Sequence, residues 1–218
     1  MSDKVIKILK DIGAIITNDH FVYTSGKHGS VYIRKDRLYP YTIKTSEVCA
    51  MIAKNVKNKN IEVVVGPALG AIVLSQWTAY HLSKLTGKEV LSVFSEKSYD
   101  DEKIFDREQM LKRGYDQLVK KKRVLIIEDL TTTGASVKKV VDQVKNVGGN
   151  LVGVYVLVNR NPKEVNSEFM KAPFMSLAVL EADAYDEKNC PLCKKGIPIN
   201  TEVGHGKEYL NKKKGVKK

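Results

Sequence analysis

The sequence predicts an α/β domain with a mainly parallel central sheet and helices on both faces. Three observations carry this expectation. The apolar runs IEVVV (61–65), EVLSVF (89–94), RVLIIE (123–128) and NLVGVYVLVNR (150–160) are largely continuous rather than alternating, as in strands buried on both faces. Helical segments separate the first run from the second and the third from the fourth. Each run ends in glycine, proline or polar residues, and in such sheets ligands bind beyond the carboxyl ends of the strands.

The elements follow in order. Val5, Ile8, Leu9 and Ile12 recur at three- and four-residue steps, so 3–13 reads as an amphipathic helix closed by Gly13. In HFVYTSGKHGSVYIRKD (20–36), two β-prone runs flank the turn residues SGKHGS, which predicts a hairpin. Cys49, Ile52 and Val56 mark a second helix. ALGAIVLSQWTAYHLSKL (68–85) is a third, of about five turns, with Trp77 and Tyr80 as core or interface residues. From Ser95 to Lys122 there is no apolar period, and connections of that length are commonly functional lids or disordered; a partial helix is expected around Arg107 to Arg113. Val137, Val140, Val141 and Val144 define another helix with a glycine stop. A last apolar run, FMSLAVL (174–180), precedes CPLCKKGIPIN (190–200). No linker interrupts the chain. A single domain over 1–218 is expected, with a helix and hairpin (1–40), a core (41–180) and an extension (181–218).

The formal charge of +12 suggests nucleic acid until it is located. Residues 112–123 carry six basic side chains against Asp116, and 207–218 carry six lysines against Glu208. Two local runs are not a basic face, so a nucleic-acid partner is not expected and the tail reads as a frayed, solvated end. No run reaches the roughly 18 to 20 apolar residues of a membrane span. Charges interrupt the first residues, so no signal peptide is expected; a reducing, cytoplasmic setting suits the three cysteines. Cys190 and Cys193 make half a structural zinc site, but the remaining soft ligands considered, Cys49 and His205, are not brought to them by anything in the sequence. A plain turn without metal is the expectation. His20 and His28 read as exposed loop residues, and Arg34 and Lys35, on the residues alone, as a solvated strand end.

The stretch VLIIEDLTTTGASVKK (124–139) carries the chemistry. A helix beginning near Ala135 offers unpaired N–H groups and the positive end of its dipole, and Gly134 permits close approach. Thr131, Thr132, Thr133 and Ser136 add hydroxyls, which completes a phosphate cradle. It is neither a Walker loop nor a dinucleotide fingerprint, because the required Gly-Lys-Thr/Ser and G-x-G-x-x-G patterns are absent. Glu128 and Asp129 would repel phosphate, but they suit the hydroxyls, or a partly cationic carbon, at the other end of a sugar phosphate.

The block VLIIEDLTTTGAS resembles the phosphoribosyl-pyrophosphate (PRPP) motif of type I phosphoribosyltransferases. The hairpin, GPALGA, FSEK, Asn159-Arg160 and the CPLC tail resemble, in order, parts of the orotate phosphoribosyltransferases. The resemblance implies the type I fold with a small hairpin hood, and transfer of phosphoribosyl from PRPP to orotate with Mg²⁺ bound mainly through PRPP. It implies catalytic roles for Lys97, Glu128 and Asp129, and PRPP contacts at Thr131, Thr132, Thr133, Gly134, Ala135, Ser136, Lys97, Lys103 and Arg113. Pro67, Ala68, Leu69 and Gly70 would form the pyrophosphate loop; Tyr32, Ile33, Thr132 and Arg160 would meet the base. For Arg34 and Lys35 the resemblance offers a place beside the base or a phosphate as the alternative to a solvated strand end. A homodimer sharing the long loop is implied as well. The chain departs from the common pattern at Leu69-Gly70-Ala71, where many relatives have a lysine, at Glu96, where they have arginine, at Thr24 and at Tyr32-Ile33. These departures mark a variant branch. The alternatives are transfer to another base, such as a purine, or a PRPP-sensing regulator that binds nucleic acid through the two lysine-rich runs.

Overall fold

Val5, Ile8 and Leu9 are buried along one side of helix α1 (Ser2–Asp11), as their spacing predicts. The computed structural model describes residues 2–23, 25–98, 108–213 and 215. After α1, strands β1 (Ile15–Val22) and β2 (His28–Ile33) pair antiparallel in a separate two-stranded hairpin, with a register shift between Thr17 and Phe21. Helix α2 (Thr42–Val56) then leads into β3 (Val63–Pro67), α3 (Gly70–Thr86) and β4 (Leu91–Lys97). Beyond the long connection come β5 (Gln109–Met110), α4 (Tyr115–Val119), β6 (Arg123–Thr131), α5 (Ala135–Asn146) and β7 (Asn150–Asn159). The chain continues through α6 (Ser167–Met170), β8 (Phe174–Val179), α7 (Pro191–Lys194) and α8 (Gly206–Lys213).

Strands β3 to β8 form one sheet in the order β5-β4-β3-β6-β7-β8, parallel throughout except for β5. Successive residues of a strand point to opposite faces. Val64, Leu125, Ile127 and Leu157 therefore join the core beneath α1, α2 and α3, while Val63, Val65, Val124, Ile126 and Val156 join the valines of α5 on the other face. Both faces are covered, which is why these strands read as unbroken apolar runs. The chain leaves β3 through α3 toward β4, and leaves β6 through α5 in the opposite direction toward β7. The carboxyl ends of β3 and β6 consequently flank a topological switch point, the usual place for a ligand in an open parallel sheet.

Three expectations need correction. The described part of the expected partial helix, 108–113, is not helical: Gln109–Met110 is a strand on β4, and a helix comes later, at Tyr115–Val119, after Gly114 takes a left-handed turn (φ 78). A buried bond from Ser95 Oγ to Gln109 Oε1 (2.8 Å) fixes that edge. His20 and His28 are not exposed loop residues but buried members of β1 and β2, at 1% and 0% exposure. The tail is not frayed over 206–213, where α8 packs on the hairpin through an edge-on contact of Tyr209 with His28 at 5.0 Å.

Candidate active site

Strand β6 carries its carboxylates inward as it ends, so Glu128 and Asp129 are buried at 7% and 1% exposure. The Asp129 amide donates to Glu128 Oε1 at 2.9 Å. Two side chains from the segment after the hairpin reach Asp129: Lys35 Nζ donates to Oδ1 at 2.8 Å, and Tyr39 Oη donates to Oδ2 at 2.6 Å. Burial, and then the neighbouring Asp129 charge, push the Glu128 carboxyl up to about 8. Burial opposes the Lys35 charge, yet the attraction of Asp129 and Glu128 holds its pKa above the ordinary lysine value. Tyr39 is held protonated by burial and by the facing Asp129 carboxylate.

The loop after β3 closes against the same acid. A Cβ at Gly70 would lie 2.1 Å from Asp129 Oδ2 and 2.6 Å from Tyr39 Oη, so only glycine lets α3 begin here. Pro67 is buried at the end of β3, the Ala68 amide donates to Ser95 O at 2.8 Å, and Leu69 projects outward at 84% exposure.

On the other side of Asp129, Gly134 adopts a left-handed conformation (φ 73) and caps α5. Thr132, Thr133, Ala135 and Ser136 are exposed around that helix start, whereas Thr131 is buried with its Oγ1 unpartnered among the described residues. Arg160 follows β7, and its amide donates to Thr131 O at 2.9 Å, which joins the two strand ends. Its guanidinium lies 4.6 Å from the Tyr23 ring centroid, and its buried Nε has no hydrogen-bond partner among the described residues. Tyr23 is itself held by a 2.7 Å bond from its hydroxyl to Val31 O. The hairpin therefore forms a hood over the Arg160 end of the crevice.

Not every expected residue comes to this crevice. Tyr32 packs on Phe21, with ring centroids 5.4 Å apart. Ile33, expected at the base, is instead a core residue at 6% exposure, because the strand alternation turns it toward the sheet. Lys97 is exposed at the end of β4. Arg113, expected on PRPP, makes a forked pair with Glu96, Nε to Oε2 at 3.1 Å and Nη2 to Oε1 at 2.9 Å. That pair gives the unusual Glu96 a partner across the base of the long loop. Lys103 lies outside the described residues. Sequence reading missed Lys35 and Tyr39 as partners of Asp129, since no local pattern signals contacts across 94 and 90 positions. A cleft of about 530 Å³ beside Lys59, Arg123 and Lys145 opens at the amino-terminal end of the strands, away from these groups.

A buried acid pair stands at a switch point, followed by a glycine-capped helix with exposed hydroxyls at its start. Residues 42–174 match the family model of the phosphoribosyl transferase domain. The chain belongs to the phosphoribosyltransferase family.

Within that family its similarity runs to orotate phosphoribosyltransferases. It is 34% identical over 197 residues to the one from Caldanaerobacter subterraneus subsp. tengcongensis, covering 90% of this chain and 94% of the relative. It is 36% identical over 201 residues to the one from Thermotoga maritima, covering 92% and 97%. The crystal structure of orotate phosphoribosyltransferase from Aeropyrum pernix has the same fold, with a TM-score of 0.59 at 22% identity over 80% of this chain and 93% of that one. The Mycobacterium tuberculosis enzyme in complex with inorganic phosphate superposes with a TM-score of 0.61 at 20% identity, covering 82% and 96%.

Proposed function

We propose that this chain is an orotate phosphoribosyltransferase of pyrimidine biosynthesis. It forms the bond between N1 of orotate and C1 of the phosphoribosyl group while the bond from C1 to pyrophosphate breaks. The products are orotidine 5′-monophosphate and pyrophosphate. The observation that carries the choice of base is Arg160, whose buried Nε–H has no acceptor among the described residues beside the aromatic hood. A buried guanidinium donor calls for an anionic acceptor, and the carboxylate of orotate meets a guanidinium through charge-assisted bonds that a purine does not offer.

The remaining groups fit the charge that develops during transfer. Positive charge grows at C1 of the sugar and negative charge on the leaving group. Glu128 and Asp129 hold the ribose hydroxyls, and the Asp129 carboxylate favours the cationic ring. Thr131 to Ser136, with the N–H groups at the start of α5, hold the 5′-phosphate. Gly70 and its loop take the pyrophosphate, and Lys97 with the long loop closes over it and excludes water. The oxygen-only donor set of two carboxylates and several hydroxyls suits Mg²⁺ held through PRPP. Mg²⁺, when bound, supplies neutralisation of the pyrophosphate charge. The protein acts in the cytoplasm as a homodimer that shares the loop between subunits. The test is pyrophosphate release from PRPP, with each base offered separately. Release with orotate supports the reading; release only with hypoxanthine or adenine overturns it.

A further inference from the structure

His20 and His28 come from the hairpin, and Cys190 and Cys193 come from the extension more than 160 residues later; yet their ligand atoms all lie within 4.8 Å of one another. Cys193 Sγ is 3.2 Å from His28 Nδ1 and 3.7 Å from His20 Nε2, Cys190 Sγ is 3.7 Å from His20 Nε2, and the two ring nitrogens are 2.9 Å apart. Zinc bonds of about 2.0–2.1 Å to nitrogen and 2.3 Å to sulfur, in a tetrahedron, imply edges of roughly 3.3 to 3.8 Å. Two of the observed spacings, at 3.7 Å, fall in that range, the 3.2 Å contact lies just under it, and the ring nitrogens at 2.9 Å are closer.

The surroundings fit as well. His20, His28 and Cys190 are buried. His20 Nδ1 donates to the Ile197 carbonyl at 2.7 Å, which leaves Nε2 as the lone-pair nitrogen facing the other three groups. Such a bond to the outer ring nitrogen is the usual way a ligating histidine is oriented. Backbone bonds also join the two segments: His28 and Tyr185 exchange amides at 2.7 and 2.8 Å, the Asn200 amide donates to His20 O at 2.8 Å, and the His205 amide donates to Val22 O at 2.9 Å.

We propose that His20, His28, Cys190 and Cys193 form a structural zinc site that fastens the extension to the hairpin. Two nitrogens and two sulfurs in a tetrahedron select zinc, and four protein ligands close the site to substrate, so it takes no part in the transfer chemistry. The reason for a metal here is the sparse core. Phe21, Val22 and Cys190 are buried yet belong to neither of the two large apolar clusters, and a small unit of that kind commonly relies on a metal to supplement its apolar burial. The site thus fixes the hood that carries Tyr23 against Arg160.

The test uses the full chain, purified under reducing conditions from zinc-replete cells. Elemental analysis is expected to find about one zinc per chain. Replacement by Co²⁺ is expected to give the intense visible bands of a tetrahedral thiolate site, and chelation to lower the Tm by at least about 5 °C. Cys193→Ser and His20→Ala are expected to lose the metal, and Cys49→Ser, in the main core, to keep it. Because a ligand variant can fail to fold, the zinc content and cobalt spectrum of the unaltered chain decide the matter. Less than about 0.1 zinc per chain together with no tetrahedral cobalt spectrum would overturn the proposal, whatever base the enzyme uses.

Discussion

Gly70→Ala separates the site from the scaffold. The added Cβ would stand 2.1 Å from Asp129 Oδ2, whereas real Cβ contacts below 3.0 Å are essentially never seen. Asp129 is 1% exposed and held by Lys35 and Tyr39, so it cannot swing aside freely. Either the acid or the start of α3 must move by about 1 Å, and a misplacement of that size costs about 100-fold in rate. Stability should change little, because an alanine at the first turn of a helix gains up to about 1 kcal/mol over glycine and offsets part of the steric loss. Gly87→Ala, at the other end of α3, is the opposite case. Its φ is +68 and nothing lies within 4 Å of the new Cβ, so only the left-handed backbone is penalised. That costs about 1–2 kcal/mol, or about 2–8 °C in Tm for a chain of this size. Steady-state kinetics with PRPP and orotate, run beside thermal melts, should show Gly70→Ala inactive but stable and Gly87→Ala active but less stable. If Gly70→Ala keeps kcat/KM within about threefold, the close contact between loop and acid has no part in transfer.

Other perturbations address single groups. Asp129→Asn and Lys97→Ala should each lower orotate turnover at least about tenfold, equivalent to about 1.4 kcal/mol of barrier; normal turnover in both would refute the assigned roles. Arg160→Ala should raise the KM for orotate by about 10- to 100-fold, the worth of a charge-assisted bond, while the KM for PRPP stays within twofold of its starting value. Titration of Glu128 should appear in stability. The folded chain holds that proton up to about 8, whereas the unfolded chain releases it in the ordinary carboxylate range. Glu128 therefore erodes stability as pH rises through that window, and Glu128→Gln should gain more over the unaltered chain at pH 8 than at pH 5; an equal difference at both pH values argues against it.

Legibility of the sequence followed the range of the interaction. The parallel sheet was readable because burial on both faces leaves unbroken apolar runs, as at 61–65 and 123–128, and the helices because Val137, Val140, Val141 and Val144 share a face. Asp129 and Gly134 were readable because a local motif holds acid, hydroxyls and glycine together. Lys35 and Tyr39 were not, since they meet Asp129 only after the hairpin has folded over the sheet. The same limit hid the cluster of histidines and cysteines. Each pair looks like turn or loop residues alone, and only the return of the extension across the hairpin brings all four together. Ile33 was misplaced for a smaller reason: neighbouring strand residues face opposite ways, so Tyr32 and Ile33 cannot share one surface.

The most direct test of the central claim is competition. PRPP is made limiting in a mixture of orotate, uracil, hypoxanthine and adenine with Mg²⁺, and the nucleotide products are separated and weighed by mass spectrometry. The account predicts orotidine 5′-monophosphate as the dominant product, matched mole for mole by pyrophosphate. A mixture in which orotate is left intact while another base is converted would contradict it.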